Sequence, residues 1–66
     1  DRTRSEIEDY SQTLQLKPDY AQALNNRAAS YFRQDEKLSG CRDAQAACKL
    51  GVCQTLKEAR ARGICH

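Results

Sequence analysis

An all-α fold is predicted by three observations. Apolar residues recur at Leu24, Ala28, Tyr31 and Phe32, then at Leu38, Cys41, Ala44, Ala47 and Cys48, the three-and-four spacing of single helical faces. No segment alternates apolar and polar residues with the period of two that a half-buried strand requires. Breakers punctuate the pattern at Pro18, in the polar run 33–37, and at Gly51 and Gly63. Residues 21–50 therefore read as two amphipathic helices joined by about five residues, which must fold back on each other to bury their apolar faces.

The first helix is expected over 3–17, with Ile7, Tyr10, Leu14 and the stem of Lys17 on one face. Glu6, Glu8 and Asp9 lie early in it, at the positive end of the helix dipole. Pro18 stops it, because the residue before a proline avoids the helical region. Asp19 is the expected N-cap of a second helix over 20–34. A third helix spans 36–50 and ends at Gly51, a glycine suited to the left-handed residue that closes helices. A short fourth helix over 52–62 is ended by Gly63.

Sixty-six residues make one domain with a marginal core, since a chain of this size buries only about 60% of its unfolded surface. The net charge of +2 is too small for a nucleic-acid footprint, so no nucleic-acid partner is expected. The charge is uneven: residues 36–66 carry six basic and three acidic side chains, whereas residues 1–18 carry three and four. No apolar run approaches the roughly 20 residues of a membrane span, and no membrane partner is expected. The polar opening Asp1-Arg2-Thr3-Arg4 is not a signal peptide, although a trimmed secreted chain would lack one too.

A shift of 34 residues lays the first helix on the third: Ser5 falls on Ser39, Asp9 on Asp43, Leu16 on Leu50, and Ile7, Tyr10 and Leu14 on Cys41, Ala44 and Cys48. About 34 residues is the period of one helix-turn-helix repeat. Leu24-x-x-Arg27-Ala28-x-x-Tyr31, followed by Gly40-x-x-x-Ala44 and Ala47, resembles the signature of the tetratricopeptide repeat (TPR). The stretch from Glu6 through Leu16-Lys17-Pro18-Asp19-Tyr20 is similar to the last helix and closing proline of a preceding repeat. The chain departs from that pattern at Leu24, Arg27, Asp35 and Val52, where the family has tryptophan, leucine, glycine and a second closing proline. The resemblance implies a single TPR-like domain over 1–66: 3–17 as helix B of a partial repeat, 20–50 as one full repeat, and 52–62 as a capping helix, stacked right-handedly.

Cys41, Cys48, Cys53 and Cys65 allow three pairings. Cys41 and Cys48 lie roughly 10 Å apart along one helix, too far for a disulfide. A fourth helix antiparallel to the third returns Cys53 beside Cys48 and Cys65 beside Cys41. The predicted bonds are therefore Cys48–Cys53 and Cys41–Cys65, which imply an oxidising, extracytoplasmic location: a bacterial periplasm or the secreted fraction. Free buried thiols in a cytoplasmic protein are the alternative. Zinc wants ligand pairs two to four residues apart, which these cysteines and His66 do not supply, and a Cys-x-x-Cys redox pair is absent. No metal and no cofactor are expected.

No catalytic residue is expected: one histidine, no glycine-rich phosphate loop and no nucleophile with a recognisable base argue against an enzyme. His66, at the terminus, reads as a solvated side chain or the start of a tag. The TPR resemblance implies a protein-interaction module that takes a peptide or partner helix on its concave face, with Tyr20, Asn25, Asn26 and Arg33 as contacts. Asn25-Asn26-Arg27-Ala28 is also similar to repeats that clamp a peptide carboxylate, in which Lys57 or Arg60 would add charge; the plain alternative is a solvated polar face. The competing function is a structural cap closing a longer array of further TPR repeats, with no ligand of its own.

Overall fold

The computed structural model describes residues 2–65; His66, and with it the reading of a solvated terminal histidine, lies outside the described residues. The described residues form four helices: α1 (Arg2–Leu16), α2 (Ala21–Arg33), α3 (Lys37–Lys49) and α4 (Gln54–Ala61). No strand occurs among the described residues. Each helix lies within the span expected for it, or one residue beyond it at the start of α1.

The terminators are explicit in the backbone. Three helices end in the same Schellman arrangement. After α2, the amides of Asp35 and Glu36 donate to the carbonyls of Phe32 and Tyr31. After α3, those of Gly51 and Val52 donate to Cys48 and Ala47. After α4, those of Gly63 and Ile64 donate to Arg60 and Ala59. The left-handed residue is Gly51 (φ 105°) and Gly63 (φ 74°) in two cases, but Asp35 (φ 61°) in the first. Asp35 thus holds a glycine conformation with a side chain, which aspartate tolerates better than most residues. At the other end of α2, Tyr20 occupies the N-cap with no side-chain bond, so Asp19 is not the cap. The chain turns there through Tyr20 N–H to the Lys17 carbonyl.

α2 is the central helix: it packs against α1, α3 and α4, and α3 also packs on α4. Small residues permit the approach. Ala28, Ala44 and Ala47 are fully buried, and Gly40 sits against the Phe32 ring, where an added Cβ would come within 2.5–2.9 Å. One core cluster joins Ala28, Ala44, Leu56, Ala59 and Cys65; a second joins Leu14, Ala23, Leu24 and Ala47.

Leu38 departs from the expected apolar face: it is 86% exposed. It lies four, seven and eleven residues before Arg42, Gln45 and Lys49, all exposed, and shares their outward stripe instead of the face of Cys41 and Ala44. Both expected disulfides are present. Cys41–Cys65 has Cα atoms 5.7 Å apart and Cys48–Cys53 has them 4.0 Å apart. They rivet α4 to α3 at its two ends.

Candidate interaction surface

Polar side chains first fix how the helices meet. Arg27, on α2, reaches across to α3, where its Nε and Nη2 donate to the two carboxylate oxygens of Asp43 at 2.5 and 2.9 Å. Its Nη1 donates to Ser11 Oγ on α1 at 3.1 Å, so one guanidinium ties three helices. The pair is mostly enclosed, with side-chain exposures of 20% for Arg27 and 8% for Asp43. The hydrogen bond to Asp43 raises the Arg27 pKa above its already high ordinary value, burial opposes this, and the Asp43 charge adds to the rise. The Tyr31 ring, 5.7 Å from the guanidinium carbon, covers one side.

The four residues expected to contact a peptide have different fates. Asn25 is only 7% exposed, and its Oδ1 accepts from the backbone N–H of Thr55 at 3.2 Å. Thr55 lies in the first turn of α4, which has no cap from its own side chains, so Asn25 supplies one from another helix. The Thr55 hydroxyl in turn donates to the Asn25 carbonyl. Asn25 is therefore engaged at the α2–α4 junction and does not line the groove that holds Asn26. Arg33, at the far end of α2, pairs with Glu6 of α1 at 3.2 Å and remains largely exposed.

Tyr20 and Asn26 do come together. They line a shallow groove between α1 and α2 with Tyr10, Thr13, Gln22 and Ala23. Asn26 Oδ1 accepts from Gln22 Nε2 at 3.3 Å, which leaves its amide N–H₂ free to donate. Tyr20 is 47% exposed, and the Lys17 ammonium sits 5.9 Å from its ring centre. Tyr10, expected on one apolar face with Ile7 and Leu14, is only half-buried and forms one wall. The signal for it was there: Tyr10 and Asn26 flank a proline turn on antiparallel helices, at similar distances from it.

Among the described residues no group of three or more His, Cys, Asp or Glu is placed to hold a metal ion, and no helix is long and apolar enough to cross a membrane. Lys57 and Arg60 are exposed on α4 and Arg62 at its C-cap, and none of the three lines the groove that holds Asn26. No protein-family model matches the chain, and neither curated proteins nor solved structures yield a match.

Proposed function

We propose that this chain is a protein-interaction module of TPR-like build, which takes an extended peptide or a partner helix in the α1–α2 groove. The observation that carries this reading is the convergence of two tyrosines with the Gln22 and Asn26 amides in one open groove. Tyrosine supplies broad contact area at low entropic cost, and side-chain amides match the donors and acceptors of a peptide backbone. The TPR part of the reading is supported by the 34-residue register of α1 on α3 and by the buried small residues Ala28, Ala44 and Ala47. Tyr20, Asn26 and Tyr10 are the proposed contacts; Arg33 would act only where a ligand acid displaces Glu6. The two disulfides support an oxidising, extracytoplasmic setting.

The test is a selection of random displayed peptides on the oxidised protein. Selected peptides should lose about tenfold in affinity for Tyr20→Ala and Asn26→Ala, a usual loss for an interface anchor. They should bind Arg62→Ala unchanged. Peptides indifferent to both groove substitutions would refute the reading.

A second reading has its own observation. The inner face of α4 (Thr55, Leu56, Ala59) is buried, whereas Lys57, Glu58, Arg60, Ala61 and Arg62 face outward. A polar outer face on a pinned last helix is what closes a stack of repeats. Such a cap is compatible with a ligand in the α1–α2 groove, on the other side of α2.

A further inference from the structure

A second groove runs between α3 and α4, and it is cationic. Its floor is the half-buried Cys48 with the edge of Leu56, itself only 3% exposed, and its walls are Gln45, Lys49 and Arg60, around a volume of about 280 Å³. Helical position extends both walls. Arg42 shares the outward stripe of Gln45 and Lys49 on α3, and Lys57 lies one turn from Arg60 on α4; both are exposed. None of these four cations is in an ion pair among the described residues. The carboxylates of this half of the chain lie elsewhere. Asp43 is consumed inside by Arg27, Glu58 falls on the opposite side of α4 from Arg60 by its helical angle, and Glu36 sits at the N-cap of α3, outside the groove's lining. Leu38, 86% exposed, ends the same α3 stripe with an apolar side chain. The disulfides Cys48–Cys53 and Cys41–Cys65 hold the two walls at fixed separation, so the groove is pre-organised.

We propose that the α3–α4 groove docks an acidic segment of a partner protein, with carboxylates meeting Arg42, Lys49 and Arg60 and an apolar residue seated over Leu56 and Cys48. Charge complementarity selects the acid, because two unpaired cations, Lys49 and Arg60, line a groove with no carboxylate in its lining, and Arg42 and Lys57 extend its walls by helical position. The apolar floor selects a protein segment over a simple polyanion, which would leave Leu56 and the sulfur unused. A nucleic acid wants a denser basic footprint than a chain of net charge +2 provides. The site is separate from the α1–α2 groove and does not rest on it.

The experiment uses the oxidised protein and a fluorescein-labelled helical dodecapeptide bearing four glutamates around a single leucine. Three companion probes are a Glu→Gln version, a Leu→Ser version and a single-stranded oligonucleotide of twelve nucleotides. Saturable binding is expected, with amide shift changes centred on Gln45, Lys49 and Arg60, weakening as salt rises. The Glu→Gln probe should bind at least tenfold more weakly, and the Leu→Ser probe severalfold more weakly. The double variant Lys49→Glu/Arg60→Glu, whose sites are exposed and leave both disulfides intact, should lose at least tenfold. Tyr20→Ala should bind normally, which separates this site from the other. No binding at millimolar peptide overturns the proposal, as does binding that survives the double variant. Equal binding of the Leu→Ser probe or the oligonucleotide marks a general polyanion patch and overturns it too. So does self-association abolished by Lys49→Glu/Arg60→Glu, which would make a second copy the occupant.

Discussion

The Arg27–Asp43 pair should couple α2 to α3 far more strongly than a surface ion pair, and a double-mutant cycle measures by how much. Arg27→Met removes the guanidinium and strands the Asp43 carboxylate, which is 8% exposed and has no other partner among the described residues. Removing one partner of a buried pair costs 3–5 kcal/mol, and the residual exposure of Arg27 places this case near about 3 kcal/mol. Asp43→Leu costs less, about 1–2 kcal/mol, because Arg27 is 20% exposed and keeps Ser11 and water as partners. The double substitution replaces the pair by apolar groups of similar size and should cost no more than about 1 kcal/mol. The singles then sum to about 4–5 kcal/mol, well above the double. Urea and thermal unfolding, followed by helical circular dichroism with the disulfides intact, read these values. For a domain of this size, about 3 kcal/mol lowers Tm by about 12–24 °C. Additive single costs, or an Arg27→Met loss below about 1 kcal/mol, would refute the claim that this pair locks the helices. The pH response has a definite sign. The Arg27 pKa is raised on folding, so its contribution is present below the unfolded-state value and is lost only as pH climbs through the folded-state value. Both lie above the range in which proteins are handled, so the Arg27 contribution should be flat from neutral pH to pH ~10.

Further outcomes follow from single contacts. Asp35→Gly should stabilise by about 0.5–1 kcal/mol in the same unfolding assay, because glycine takes φ 61° without the left-handed penalty. Gly40→Ala should be net destabilising by about 1 kcal/mol although alanine favours helices, since its Cβ would meet the Phe32 ring at 2.5–2.9 Å; the penalty should shrink in a Phe32→Leu background. Asn25→Ala strips the cap from Thr55 and should cost about 1–2 kcal/mol, with amide exchange quickening in α4 and not in α1. Replacing Cys41 and Cys65 by alanine should cost about 3.5 kcal/mol, and replacing Cys48 and Cys53 about 2 kcal/mol, because the loops they close span 24 and 5 residues. Equal losses would argue against control by loop entropy.

Periodicity and breakers alone determined the four helices, their approximate ends and, through the antiparallel return of α4, both disulfide pairings. These are local properties or follow from short connections, so little else was needed to read them. Only the tertiary structure decided the fates of Asn25, Leu38 and Arg27. Asn25 and Asn26 are neighbours of one residue type, yet a step of 100° around α2 turns one onto the open end of α4 and the other into the α1–α2 groove. Leu38 belongs to an apolar list by composition, but its angle on α3 places it among Arg42, Gln45 and Lys49. Arg27 and Asp43 stand eight residues either side of Asp35, level on antiparallel helices, a symmetry visible in the chain that gains meaning only when both side chains face the same seam. A hydrophobic period reports which residues share a face. Which neighbour covers that face depends on the rotation of each helix about its axis, and that rotation is settled by the packing of all four helices together.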